Sequence, residues 1–358
     1  MSKYRFDPDY VVAPGATLKE SIDAKGISQT QLAQRAGLTE KTISQIINGI
    51  APISYDTAGK LELVTGVPAK FWNRRELGYR EALSRRKELA ALAENKAWLK
   101  EIPLDELVDR GFVEPSEDVG ALVHHALRFF GVSNVDAWRE AMLTPSVQYR
   151  SNKAKAKHPG FVAAWLRMGE LQAEAIDCEN FNGQEFRRLL QQEVRELTTI
   201  SARAWRTRLP ELCAQAGVAV VLTKEIPKAA VSGAARWLSK KEMALIQVSL
   251  KFGTDDQLWF SFYHEAAHVL LHGRRKLHVD YGVGDETGEE REASAFARDL
   301  LIPPEHIPQL PHLRSKAVIR RFASSIGVSP GIVVGRLQHD GLIPPSHCND
   351  LKKKYKWK

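Results

Sequence analysis

The residue types best equipped for chemistry are His264, Glu265 and His268, set in the run Trp259-Phe-Ser-Phe-Tyr-His-Glu-Ala-Ala-His-Val-Leu-Leu-His272. On a helix, residues four apart lie one turn apart on the same face, so these two imidazoles can converge on one metal ion. Glu265 then sits beside the ion as a general base. Two imidazoles and a carboxylate, with one position left for water, suit zinc, and one Zn2+ per chain is expected.

The surrounding residues predict that this stretch is helical. Thr254 provides an N-cap, Asp255 and Asp256 supply acidic first-turn charge, and Gly273 ends the run. Leu258, Phe262, Ala266 and Leu270 recur every fourth residue, as a buried helix requires. Core helices also carry such a five-residue pattern by chance, so the third ligand decides. Position 271 is Leu and the next histidine comes too early for a three-histidine site after a glycine turn. His272, one turn past His268, either holds His268 through its far ring nitrogen or caps the helix; the first role is preferred. The third ligand is sought in Glu289-Glu-Arg-Glu-Ala-Ser-Ala-Phe-Ala-Arg-Asp-Leu-Leu-Ile-Pro303, an amphipathic helix stopped by Pro303 and Pro304. There Glu292 precedes small Ala293, Ser294 and Ala295, which allow close approach to the first helix. Glu289 and Glu290 read as solvated first-turn charges.

A second constellation lies near the N-terminus. Leu18 and Ile22 mark a first helix, ended by Lys25 and Gly26. Ser28 caps Gln29 to Ala36, Gly37 makes a turn, and Thr39 caps Glu40 to Asn48, whose Ile43, Ile46 and Ile47 form the buried stripe. Two short helices across a glycine turn form the helix-turn-helix pattern. Its outer face offers Glu40, Lys41, Thr42 and Gln45 to base edges, and Gln29, Thr39 and Asn48 to phosphates of double-stranded DNA.

Both constellations resemble known families. The phrases around His264 and Glu292 are similar to the ImmA/IrrE family of metallopeptidases, whose resemblance extends through Ala317–Gln338. In that family the glutamate immediately before Ala completes the zinc site, which maps onto Glu292. Ala266 and Ala267 stand where the family commonly has Leu-Gly. Ile27 to Gly49 resembles an Xre-type repressor domain, and its continuation to Trp72 is similar to HigA-type antitoxins. The resemblance implies a zinc endopeptidase of gluzincin type with ligands His264, His268 and Glu292, base Glu265, and regulated cleavage of a repressor or antitoxin-like protein. Tyr263, His272 and His278 are considered as donors to the oxyanion, and Tyr263, like His272, also as a support behind the metal ligands. The rival reading is a non-catalytic repressor within a toxin–antitoxin module, its metal domain sensing a ligand or partner. Both allow a homodimer on two half-sites.

The elements that must position these residues set the fold class: mainly α with a small β-sheet (α+β). Four parts are expected: a five-helix DNA-binding bundle over 1–78, a helical connecting region over 79–152, a zincin-like domain over 153–310, and a helical cap with a basic tail over 311–358. One connecting helix runs from Arg80 to Leu99, and two more over Leu104–Gly111 and Val119–Gly131. Leu209-Pro210 is read as a helix break. Val218–Thr223, Ala229–Leu238 and Met243–Leu250 are expected strands by their β-branched and apolar content. The basic stretch Ser151–Gly160 reads as an exposed linker, and Lys352–Lys358 as a solvated end.

At 358 residues with 44% hydrophobic content, each part has room for a core. No run is long or apolar enough to span a membrane. Three well-separated cysteines, with no Cys-x-x-Cys pair, and an N-terminus without an apolar segment predict a cytoplasmic chain. The net charge of +8 favours a polyanionic partner.

Overall fold

The computed structural model describes residues 12–143, 158–238, 243–273, 277–280 and 288–357. Residues 151–157 of the expected linker, and Lys358 of the tail, lie outside them. Two compact units emerge: residues up to Lys96 together with Ser116–His124, and Ala97–Pro115 together with His125 onward.

The first unit is built from α1 (Pro14–Asp23), α2 (Gln29–Ala36), α3 (Glu40–Ile47), α4 (Tyr55–Thr65) and α5 (Ala69–Ala93). Local chemistry sets the boundaries of the central pair. Ser28 Oγ accepts from Gln31 N at 3.2 Å while Gln31 Oε1 accepts from Ser28 N at 2.9 Å, a complete capping box. Gly37 takes φ 62°, which costs a residue without Cβ nothing. Leu18, Ile22, Leu32, Ile43, Ile46, Leu61 and Trp72 form the shared core. The fifth helix differs from expectation. It runs unbroken from residue 69 to 93, across the expected boundary at 78, with Trp72 anchored in the core and Glu76 paired to Arg80 at 2.6 Å.

In the second unit, α6 (Leu104–Asp109) leads on, and α7 (Val119–Phe130) enters from the first; α8 is Val135–Trp138. Trp98, Phe130 and Trp138 pack edge to face around one centre. Beyond them come α9 (Pro159–Glu174), α10 (Gly183–Leu189), which continues into a π turn at Leu190–Val194, and α11 (Ala202–Ala214). Pro210 does not break α11. Trp205, Leu209 and Cys213 recur every fourth residue on its buried face, and that packing outweighs the hydrogen bond proline removes.

The sheet holds β1 (Val218–Leu222), β2 (Gly233–Leu238), β3 (Met243–Val248) and β4 (His278–Asp280), in the order β1-β3-β2-β4. Strand β3 lies inside the sheet, parallel to β1 and antiparallel to β2, and every residue of it is buried. Residues 229–232 stand outside β2. Across the sheet lies α12 (Asp255–Leu271), followed by α13 (Gly288–Leu301), α14 (Lys316–Ser325) and α15 (Pro330–His339). Ile319, Phe322, Ile332 and Val333 join the same core as Trp259 and Phe262, so the C-terminal helices belong to the body of this unit. Among the described residues no single helix is long and apolar enough to cross a membrane.

The tail is anchored rather than solvated, a correction to the sequence expectation. Lys352 Nζ donates to Asp256 Oδ2 at 2.7 Å, Lys353 N donates to Asp255 Oδ1 at 3.0 Å, and Tyr355 is buried against Trp205. Asp255, fully buried, also accepts from Ser329 Oγ of the α15 cap. Burial raises its pKa, the Ser329 bond opposes this, and the charge of Asp256 adds to the rise. The acidic first turn of α12 is therefore a buried anchor that fixes the helix start. Asp255→Ala is expected to destabilise the unit by about 3 kcal/mol, leaving buried donors unmatched. A lower urea midpoint at unchanged m-value checks this.

Candidate functional site

α12 is enclosed on most of its circumference, because Leu258, Trp259, Phe262, Tyr263, Ala266 and Ala267 are all buried. This fixes its rotation and leaves His264 and His268 side by side beneath α13. Their Nε2 atoms are 3.1 Å apart. Glu290 of α13 completes the cluster, with Oε2 at 2.9 Å from His264 Nε2 and Oε1 at 3.6 Å from His268 Nε2. Ligand atoms placed tetrahedrally at ~2.0–2.1 Å from zinc lie roughly 3.3 Å from one another. The observed separations bracket that value, so these donors fit one zinc ion.

The carboxylate brought to the histidine pair is Glu290 and not Glu292. The reason is helical phase. Ala293, Ala297 and Leu301 are the buried face of α13, and Glu290 precedes Ala293 by three residues on that face. Glu292 lies about 200° further round the helix from Glu290. Its side chain is 60% exposed against 21% for Glu290. Glu292 instead reaches His272, with Oε2 at 3.3 Å from Nε2. The small residues serve close approach as expected, but the carboxylate they admit comes from the preceding turn.

The outer ring nitrogens of the histidine pair are also engaged. Ser294 Oγ lies 3.3 Å from His264 Nδ1, and His272 Nδ1 lies 2.8 Å from His268 Nδ1. His272 ends α12 in an extended backbone conformation, so it caps the helix end and touches His268 as well. On the other side His278 of β4 stacks on the His268 ring, centroids 3.8 Å apart and planes at 18°. Burial lowers the His268 pKa, with Glu290 opposing, which favours the neutral imidazole that ligates metals. For Glu290, burial pushes the carboxyl up, but its hydrogen bonds with His264 and His268 outweigh this and hold it well below the usual range.

Glu265 is fully buried, and among the described residues neither of its oxygens has a hydrogen-bond partner. Burial, followed by the charges of Asp280 and Glu290, raises its pKa well above the ordinary carboxylate value. It lies against the first residue of β2, where a Cβ on Gly233 would stand 2.7 Å from Glu265 Oε1 and 2.9 Å from Cγ. Gly233 pairs with Asp280 and Ala235 with His278 across the antiparallel β2–β4 ladder. Paired residues share a sheet face, so Asp280 and His278 point to the same side as Gly233, toward α12.

Tyr263, considered as an oxyanion donor or support for the ligands, faces away. It is fully buried and its hydroxyl donates to Leu190 O at 2.9 Å in the core. One step along the helix from His264 turns its side chain about 100°, into the packing around Phe262. Glu290, Ser294, Gly233 and Asp280 are the site residues that the sequence reading missed.

In the first unit, Gln29, Thr39, Glu40, Lys41 and Asn48 are exposed, while Thr42 and Gln45 are half-buried. Several of these groups already have partners. Thr39 Oγ1 accepts from Thr42 N at 3.1 Å and lies 2.8 Å from Thr42 Oγ1. Asn48 Nδ2 donates to Ser44 O at 2.9 Å. These bonds order the ends of α3, leaving Glu40, Lys41 and Gln45 as its long polar side chains outside the core.

Comparison with known families adds to this geometry. Residues 18–72 match the family model of the helix-turn-helix, and residues 236–338 match the Peptidase M78 family, the IrrE N-terminal-like domain. The second match spans α12, α13 and both C-terminal helices. No curated protein matches the chain. The chain thus joins a segment similar to DNA-binding helix-turn-helix domains to one similar to a metallopeptidase-type domain, the combination of a transcription regulator with a protease-family domain.

Proposed function

We propose that this chain is a DNA-binding zinc metalloendopeptidase that regulates transcription by cleaving a repressor or antitoxin-like protein. The observation that carries this reading is the convergence of two imidazole nitrogens and one carboxylate oxygen beside a buried carboxylate that has no hydrogen-bond partner among the described residues. His264, His268 and Glu290 would hold one zinc ion. Zinc bound there supplies Lewis acidity, polarising a carbonyl and lowering the pKa of water.

The remaining chemistry belongs to the chain. Glu265 takes a proton from water and returns it to the leaving amine. Burial disfavours its charged form, which makes the carboxylate a stronger proton acceptor. Ser294 and His272 hold the two imidazoles in register. The β2–β4 ladder lies against Glu265 through Gly233 and against His268 through His278. An assay on extended peptides and repressor-like proteins, with and without chelator, tests the reading; zinc-dependent cleavage supports it.

A second reading, a non-catalytic regulator sensing metal or a partner, draws on one observation. Glu265 is enclosed so fully that a substrate reaches it only if the surrounding wall gives way. Hydrogen exchange at β4, faster on adding peptide under the first reading and unchanged under the second, separates the two.

The DNA-binding part of the proposal rests on the helix-turn-helix match and on the exposed outer face of α3. Two copies on two half-sites would place α3 in successive major grooves. Lys41→Ala with Gln45→Ala is expected to weaken specific binding by about 1–3 kcal/mol for each side chain that hydrogen-bonds a base edge. It should also flatten the slope of log affinity against log salt by about 1 if Lys41 neutralises a phosphate. The readout is a titration of DNA from upstream of the gene at several salt concentrations, with zinc content and peptidase activity unchanged.

A further inference from the structure

We infer that Glu292, His272 and His268 form a proton-ordered relay that positions one metal ligand, so that Glu292 acts on the metal centre through two histidines instead of touching the ion. The inference rests on the proposed ligand set His264, His268 and Glu290.

Proton counting orders the chain. His268 turns Nε2 toward His264 Nε2 and Glu290, and as a ligand it must present a lone pair there. A neutral imidazole then carries its proton on Nδ1, and that nitrogen lies 2.8 Å from His272 Nδ1. His272 Nδ1 must accept, which puts the His272 proton on Nε2. That nitrogen lies 3.3 Å from Glu292 Oε2, an acceptor in its ionised form. One arrangement of protons satisfies every hydrogen bond in the relay. His264 is treated differently, its far nitrogen meeting the neutral hydroxyl of Ser294 at 3.3 Å. The two ligands are therefore unequal, and His268 is the one backed by a carboxylate. Such support fixes tautomer and ring orientation and strengthens the ligand.

The same histidines could instead hold a second ion, since His268, His272 and His278 have nitrogens within 4.8 Å of one another. Ring geometry argues against this. His278 is stacked on His268, with planes only 18° apart. Lone pairs lie in the ring plane, so two stacked rings direct them along parallel planes and not to one point. The stack clamps the His268 ring from its face while the relay holds it from its edge.

The test is zinc affinity of the full chain, by competition with a chromophoric chelator at fixed pH, for wild type, His272→Leu, His272→Asn and Glu292→Ala. The relay predicts roughly 10–100-fold weaker zinc binding in His272→Leu. His272→Asn sets an amide oxygen near the place of Nδ1 and should recover part of the loss. Glu292→Ala should fall by about tenfold, the low end of that range, because its hydrogen bond is longer and more exposed. The zinc-free proteins should all melt cooperatively above the assay temperature, and His272→Asn should melt as wild type does, which separates positioning from folding. Unaltered affinity in both His272→Leu and Glu292→Ala overturns the relay. So does a second zinc in wild type that is lost with His272. A wild type that takes up no zinc removes the ligand set itself, and the relay with it.

Discussion

Replacing Glu265 by Gln is expected to lower kcat for peptide cleavage by roughly 10²–10⁴-fold, as removal of a general base does, while zinc and DNA binding should persist. The same substitution should make the zinc-free chain more stable at neutral pH. Glu265 is wholly buried, neither oxygen has a partner among the described residues, and burial with the nearby Asp280 and Glu290 disfavours its charged form. A neutral isostere removes the cost of that charge, so a gain in stability is expected. The pH dependence has a definite sign. Between the ordinary carboxylate value and the raised folded value, the folded state holds a proton the unfolded state has released. Stability of the zinc-free wild type therefore falls as pH rises through this window. Glu265→Gln should flatten that fall. Chemical denaturation of chelator-treated protein at several pH values, beside a cleavage assay, reads both effects. Loss of stability together with unchanged cleavage would remove Glu265 from the role of base.

The second large effect concerns which glutamate holds the metal. Glu290→Gln should weaken zinc binding by at least about 10³-fold, or about 4 kcal/mol, since it removes a charged ligand from a three-ligand set. Glu292→Ala should weaken it only by about tenfold. In the zinc-free chain Glu290 adds a pH dependence opposite to that of Glu265. Its folded pKa is depressed, so its contribution is present above the ordinary carboxylate range and is lost as pH falls. A chelator competition on the two variants, at one pH and salt concentration, gives the comparison. The reverse order of the two effects would restore Glu292 as ligand.

The fold was legible wherever short-range chemistry decides it. Ser28, Gly37 and Thr39 each perform the capping or turn role that their types predict, and the Leu258–Leu270 periodicity locates the buried helix α12. Composition alone separates β1, β2 and β3 from the helices. What escaped notice depended on partners distant in sequence. The three residues of β4 are too few for a periodic signal, and their strand state comes from pairing with β2. The run of lysines after Leu351 reads as solvated by charge, yet Tyr355 and Trp357 among them dock, and Asp255 and Asp256 receive the basic residues. Pro210 reads as a break because local rules weigh its missing donor and not the buried face around it.

In the site itself, the two histidines and Glu265 could be named from spacing alone, because one helix carries all three. The third donor could not, because its identity depends on the rotation of α13 against α12. Two signals compete there. Acidic residues are common in first turns, which masks Glu290, while small residues beside Glu292 draw attention to the wrong turn. Taking phase from Ala293, Ala297 and Leu301 resolves this, since Glu290 falls on their face and Glu292 does not. Tyr263 illustrates the same point. Its chemistry suits an oxyanion donor, but its phase sends the hydroxyl to Leu190 in the core.

The central claim is a zinc ion held by two imidazoles and one carboxylate, and X-ray absorption at the zinc edge of the zinc-loaded full chain tests it most directly. The predicted spectrum has about one tightly bound zinc per chain with two imidazole nitrogens and light oxygen donors, and the imidazole contribution is unchanged in Glu265→Gln. A chain that retains no zinc after desalting, or a spectrum with three imidazoles matching His268, His272 and His278, would contradict the account.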